Sequence, residues 1–418
     1  MTTTKAPTVW ERFPLLASSG YATATAGSAA LLLVLLTVAG RFLSAADYGR
    51  FSYALALTTI IETVMDIGLS QVTTRSVARE PGSATHVFEH VLGLKLMWVV
   101  GGLVVLAVVT PLLRSDPQVV RLCYLMGVSS AVRSYLLTAR GLLQGLDRFD
   151  LEAVVVVLDR VLLLVTGAAV LVGGYGLVGL ALAFVGSRLA MVAVVRGVLR
   201  RVVGRVRPRY DRDAWRALQA AALPLGFFML ALNMYTYIDT VILGVMRSDV
   251  ETGWYAASYR IYEGLTYAPS ILSAVLTPRL SALFVRDRAT FRTLLVRALV
   301  ASVFLGIVLG GVAAWVARPA VVLLFGAAYA PAAGSLRILA GGSLFVFGTW
   351  ILHAAAISSN LDRRLLGTTA CGLGANVILN VLLIPAYGIE GAAWATVLAE
   401  ALTVALLLVQ VWRRMGQS

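Results

Sequence analysis

The sequence predicts an all-α integral membrane protein of about twelve transmembrane helices, arranged as two parallel six-helix bundles. Three observations predict it. The first is composition: 59% of the 418 residues are hydrophobic and 13% are charged, against about 25% charged in a soluble domain. With a mean hydropathy of +0.85, the chain has too few charges to coat a water-facing surface. The second is that apolar runs long enough to cross a bilayer, about 20 residues each, recur along the whole chain. The third is an internal repeat at half the chain length.

Taken in order, the apolar segments run roughly 22–43, 49–71, 87–113, 117–142, 151–173, 176–200, 217–246, 250–282, 293–317, 331–358, 365–385 and 389–412. Several exceed the minimum span, which implies tilt or extension past the bilayer. Residues 1–20 are polar and mixed, and 22–40 reads as a retained helix rather than a cleaved signal. Lys and Arg in the connections set the orientation. With both termini inside, the inner segments hold 22 basic residues, Lys5, Arg12, Arg75, Arg79 and Arg140 among them, and the outer segments hold 6. That ratio places both termini on the cytoplasmic side and requires an even number of spans.

The formal net charge is +14. In a soluble chain that balance points to nucleic acid. Here the basic residues sit in short gaps between apolar runs, so they report orientation and no nucleic-acid partner is expected. The longest polar stretch, Arg200 to Arg216, links the halves 1–205 and 206–418, and its arginines suit anionic headgroups. Cys123 and Cys371 lie far apart in or beside apolar runs and read as small buried apolar residues.

The repeat rests on three matches. Asp47-Tyr48-Gly49-Arg50-Phe51 returns as Glu251-Thr252-Gly253-Trp254-Tyr255, Leu146-Asp147-Arg148 as Leu361-Asp362-Arg363, and Tyr175-Gly176-Leu177-Val178-Gly179 as Tyr387-Gly388-Ile389-Glu390-Gly391. The offsets are 204, 215 and 212 residues. Six spans per half is an even number, so both copies insert in the same direction, an arrangement found in transporters.

Three motifs resemble chemistry without supporting it. His86-Val87-Phe88-Glu89-His90 spells an inverted zinc-protease pattern, but the only further histidine is His353, and no metal is expected. Gly174-Tyr175-Gly176-Leu177-Val178-Gly179 spells a dinucleotide fingerprint; it joins two apolar segments and reads as a tight turn. Gly306 and Gly310 suit close helix packing. No nucleotide-binding motif is present, and no cofactor or catalytic residue is expected.

The informative residues are ionisable groups inside spans, where a charge costs at least about 2.5 kcal/mol on insertion scales. Deepest are Arg133, Asp159, Arg160, Arg188, Arg260, Glu263 and Glu400. Glu62, Asp66, Lys95, Asp239 and Arg297 lie nearer a membrane face. Such groups line a wet cavity or pair with one another. Arginine suits a phosphate-bearing substrate, because its planar fork binds two oxygens at once. Arg260 and Glu263, three apart, have the spacing to pair along one helix. Asp159 and Arg160 are adjacent and each needs an outside partner. Glu62 and Asp66, four apart, either share a proton as an ion-coupling site or are neutralised by a basic residue such as Arg75.

Ala45-Ala46-Asp47-Tyr48-Gly49-Arg50-Phe51 followed by Asp66-Ile67-Gly68-Leu69 resembles the opening of the polysaccharide transporter (oligosaccharide flippase) family. Tyr237-Ile238-Asp239-Thr240-Val241-Ile242-Leu243-Gly244, Gly253-Trp254-Tyr255-Ala256-Ala257-Ser258-Tyr259-Arg260-Ile261, Phe325-Gly326-Ala327-Ala328-Tyr329 and Tyr387-Gly388-Ile389-Glu390-Gly391-Ala392-Ala393 extend the resemblance over nearly the whole chain. It implies the fold of multidrug extruders and lipid II flippases, with two bundles forming a V around a cavity lined by the first, second, seventh and eighth helices. It favours a place at the cavity for Arg260, Glu263, Asp239, Glu62 and Asp66, and favours holding the first bundle together for Arg133 and Arg188, which stay candidates for substrate contact; Glu62 and Asp66 stay the ion-coupling candidates that their spacing makes them. The implied substrate is a polyprenyl-pyrophosphate-linked oligosaccharide, moved across the cytoplasmic membrane without covalent chemistry. A polysaccharide polymerase and glycosyltransferases are the expected neighbours. A drug or cation antiporter of the same fold, a lipid II-type flippase and a non-transporting membrane scaffold are the alternatives.

Overall fold

The computed structural model describes residues 14–359 and 361–416. Lys5 and Arg12, both assigned to the cytoplasmic side above, and the side chain of Arg363, part of the repeat, lie outside this part. Every long element among the described residues is helical. In chain order they are α1 (Pro14–Phe42), α2 (Ala45–Asp66), α3 (Leu69–Arg79), α4 (Ala84–Leu113), α5 (Pro117–Gly145), α6 (Phe149–Val172), α7 (Gly176–Val202), α8 (Arg212–Met246), α9 (Asp249–Arg286), α10 (Arg288–Trp315), α11 (Ala317–Phe325), α12 (Ala332–Gly341), α13 (Ser343–Ser358) and α14 (Asp362–Gly416).

Local chemistry sets several starts. Asp116 caps α5 by accepting from the Gln118 amide, with Pro117 at the first helical position, where a missing N–H costs nothing. Ser248 and Glu251 close a capping box on α9, which satisfies two of its otherwise unpaired amides.

Among the described residues, eight helical stretches are long and apolar enough to cross a membrane, and nine if α12 and α13 form one broken span. Three further spans complete the twelve. The described apolar part of α1, Gly27–Phe42, is short by this measure. In α5, Arg121, Arg133 and Arg140 dilute the hydropathy. The third is hidden inside α14, where Gly388 leaves helical geometry at φ 56° and ψ −130°. Asn380 and Thr396 both hydrogen-bond the carboxylate of Asp239. Sixteen residues would separate them by about 24 Å on a straight helix, so the chain turns back at Gly388 and its two arms lie side by side.

The spans carry their apolar side chains outward as well as inward. Leu112, Val285, Trp315 and Leu323 are each more than three-quarters exposed. Backbone paired within helices and large apolar side chains facing outward are what a hydrocarbon solvent demands. The protein is a multi-pass membrane protein.

Two places differ from the segments read off the sequence. The 49–71 segment breaks at Ile67 and Gly68, both with positive φ (41° and 83°). A side chain at Gly68 would run into the Ala222 carbonyl. Beyond the break, α3 buries Leu69, Val72 and Val77 on one face and keeps Arg75 and Arg79 off it. The 331–358 segment bends by 44° between α12 and α13, at Gly342.

The described residues pack as two compact units: those up to Leu36 with Thr58–Leu230, and Thr37–Leu57 with those from Ala231 onward. The first half of α2 thus packs with the C-terminal helices, and the first half of α8 with the N-terminal ones. In the first unit, Phe88, Leu136, Leu142, Met191 and Leu199 join α4, α5 and α7 in one apolar core. In the second, Leu280, Phe291, Ile351 and Leu407 join α9, α10, α13 and α14. Gly306 and Gly310 abut Phe347 and the Ala340 carbonyl, the close helix packing expected of them. Gly174 and Gly176 take positive φ between α6 and α7, as a tight turn requires.

Candidate functional site

Each unit holds its own set of ionisable side chains, and in the first unit they form pairs between helices. On α2, Glu62 accepts both its contacts from one guanidinium nitrogen of Arg133 on α5, at 2.8 and 3.0 Å. One turn later Asp66 pairs with Lys95 of α4 and also accepts from Ser70. The two acids therefore have separate cations, and it is Lys95, not Arg75, that neutralises Asp66. Asp159 of α6 pairs with Arg188 of α7. Nearer the end of α5, Arg140 holds the fully buried Glu152 at 2.7 Å. Arg160 is half-buried and, among the described residues, has no carboxylate within 4 Å. Its electrostatic neighbours are Arg133, Arg188, Asp159 and Arg140.

In the second unit Arg260 and Glu263 pair along α9 at 2.5 Å, the i, i+3 contact read from the sequence. Tyr48, Tyr237 and Tyr259 are among the electrostatic neighbours of Arg260. Asp239 sits in a polar cluster buried between α8, α9 and both arms of α14. Its carboxylate accepts from Asn380 Nδ2 at 2.7 Å, Thr396 Oγ1 at 2.5 Å and Tyr255 Oη at 3.0 Å. Asn376 adds its side-chain oxygen to Asn380 at 3.2 Å, and Asn380 Oδ1 has no partner. An anion would meet the charge of Asp239 here, whereas a small hard cation would meet carboxylate, amide and hydroxyl oxygens. The cluster is thus chemically suited to a cation and unsuited to a phosphate. Glu400, on the second arm of α14, is also buried and accepts from Thr349 at 3.0 Å.

The structure therefore brings Arg260 to Glu263, gives Asp239 different hydrogen-bond partners, and places Arg133 and Arg188 in a different unit. Asn376, Asn380 and Thr396 escaped the sequence reading, which weighed ionisable groups only. Two asparagines four apart in an apolar run were the available signal, since a buried amide needs a partner.

The other motifs resolve as ordinary structure. The Nδ1 atom of His90 lies 2.8 Å from the His86 carbonyl, and Glu89 accepts from the Arg207 amide at 3.1 Å. Among the described residues no group of three His, Cys, Asp or Glu is placed to hold a metal. Cys123 is buried as expected, while Cys371 is exposed.

Comparison with known proteins agrees with this architecture. Residues 17–284 match the model of a family described as polysaccharide biosynthesis protein. The chain belongs to that family. It is 28% identical over 173 residues to the probable flippase AglR of Haloferax volcanii. That match covers 40% of this chain and 36% of the relative, so it spans little more than a third of the curated protein. The fold is that of the lipid II flippase MurJ in its inward closed conformation, with a TM-score of 0.76 at 14% identity over 94% of this chain and 87% of that one. It is equally close to an inward-facing multidrug-resistance MATE transporter, at 0.76 and 15% identity over 93% and 95% of the two chains.

Proposed function

We propose that this protein is a flippase that carries a lipid-linked, pyrophosphate-bearing oligosaccharide from the cytoplasmic to the outer leaflet of the cytoplasmic membrane. The observation that carries the reading is family membership over most of the chain. The intramembrane arginines support it. Arg260, Arg133 and Arg188 supply the forked donors that diphosphate oxygens prefer, held ready by Glu263, Glu62 and Asp159. The lipid tail stays in the bilayer while the charged head moves by alternating access, and no bond is made or broken. A polysaccharide polymerase and glycosyltransferases are the proteins that would make and use such a substrate. Both termini lie on the cytoplasmic side, so a cysteine at Arg207 is labelled from inside only and one at Gly174 from outside only.

Glu62 and Asp66 are better suited to holding the first unit together than to coupling, because each already has its own cation. The Asp239 cluster has the chemistry for a coupling ion. The substrate role is tested in cells by deleting the gene and returning wild type or Arg260→Ala. Lipid-linked oligosaccharide accumulates on the inner leaflet after deletion; wild type clears it and Arg260→Ala clears it at least tenfold more slowly. Normal arrival at the outer leaflet without the protein would end the proposal.

A further inference from the structure

Among the described residues of the first unit, the intramembrane charges around α5, α6 and α7 do not balance. Arg133, Arg140, Arg160 and Arg188 stand as electrostatic neighbours. Their carboxylates are Glu62, Glu152 and Asp159, each already paired with Arg133, Arg140 and Arg188 respectively. Arg160 is the cation left over. Arg188 adds a second unmet demand. Its side chain is only 3% exposed, yet its Nε has no hydrogen-bond acceptor. A cation without a partner inside a span is costly and marks a functional site by default. Unmet donors on a buried arginine are costly as well. One feature satisfies both: an anion with several oxygens, accessible because Arg160 is half-buried and the Arg133 side chain is 30% exposed.

We propose that Arg160, with the free Nε edge of Arg188 and the exposed side of Arg133, forms a binding site for a phosphate-class anion within the first unit. The Arg260 group belongs to the other unit. Phosphate offers acceptors in several directions and matches guanidinium forks. The Asp159–Arg188 and Glu62–Arg133 pairs keep the forks oriented while Arg160 supplies the net charge. Two sources share this chemistry: the pyrophosphate of the transported substrate and the headgroup of an anionic membrane lipid. The first source rests on the flippase reading; the site does not.

The test uses the full-length protein purified in a neutral detergent. Thermal unfolding is followed against inorganic pyrophosphate and, separately, against phosphatidylglycerol added to the micelles, with chloride at matched ionic strength as control. Wild type is expected to gain stability in a saturable way with at least one of them. Arg160→Gln should lose that gain, shifting the midpoint at least tenfold, while Arg160→Lys keeps most of it and Arg318→Gln, at an exposed arginine outside both arginine groups, is unaffected. Without added anion, Arg160→Gln should melt no lower than wild type, because it removes an unbalanced charge. A purely structural arginine would instead destabilise when replaced. Stabilisation by pyrophosphate alone assigns the site to substrate, and by phosphatidylglycerol alone to membrane lipid. An anion response unchanged in Arg160→Gln, or no response in wild type beyond chloride, overturns the site. Translocation by wild type in vesicles reads the flippase function independently, so either idea can fail while the other stands.

Discussion

Lys95 shows how one buried cation is retained. Its side chain and that of Asp66 are 3% and 10% exposed, so neither charge reaches bulk solvent. Removing one partner leaves the other charged and alone, which costs about 3–5 kcal/mol. Replacing both with apolar residues of similar size removes the desolvation cost along with the attraction and is close to neutral. Lys95→Met is therefore expected to lower thermal stability sharply, and Lys95→Met with Asp66→Leu to recover most of the loss. A double-mutant cycle by thermal unfolding in detergent checks this. A double variant as unstable as the single one would show that Lys95 acts through something other than Asp66. The sequence marked all of these residues, because an ionisable group in an apolar run is conspicuous. It did not say which would pair. Arg75 is nearer to Asp66 along the chain, but α3 turns away after Gly68, and Lys95 arrives from α4. The Asp239 cluster was half legible for a related reason: its charge stood out, while its neutral partners Asn380 and Thr396 come from two arms of a helix hairpin far along the chain.

At the scale of helices, the two copies of the repeated glycine motif meet within the second unit. A side chain at Gly49 would strike the Asp249 carbonyl, and one at Gly253 would strike the Ala45 carbonyl. The starts of α2 and α9 thus cross backbone to backbone, and Arg50 fastens them through Asp249 at 2.8 Å. Small residues at such crossings let helices approach closely in membranes. Gly253→Ala is expected to force the helices apart and cost about 1–3 kcal/mol, the usual cost of overpacking. Gly264→Ala, on the same helix with open space around it, serves as the control and should be near neutral. Equal melting temperatures for the two variants would contradict the close crossing. The spans themselves were readable because twenty apolar residues have few other uses. What was not readable were the interruptions. The break at Gly68 ends α2 several residues before the apolar run does. The bend at Gly342 falls inside an apolar run that hydropathy sees as continuous. Both depend on what the backbone packs against, and hydropathy carries no such information.

For the molecule as a whole, composition, internal repetition and motif order agree with the family and with the fold. Low charge content set the solvent, and the repeat at half the chain length pointed to a transporter. The choice of substrate is a finer matter. MurJ and MATE transporters share this fold to the same degree, so fold alone does not separate a lipid-linked sugar from a drug. Family membership and the cationic character of the buried charges favour the sugar pyrophosphate. The most direct measurement is translocation in vesicles. Purified protein is reconstituted into liposomes carrying a polyprenyl-pyrophosphate-linked oligosaccharide, and a membrane-impermeant glycosidase added outside reports the fraction of sugar it reaches. The account predicts that in protein-free liposomes about half the sugar stays protected, whereas with wild-type protein nearly all becomes accessible, and with Arg260→Ala accessibility rises at least tenfold more slowly. Protection that persists with wild-type protein under an imposed sodium or proton gradient of either direction would contradict it.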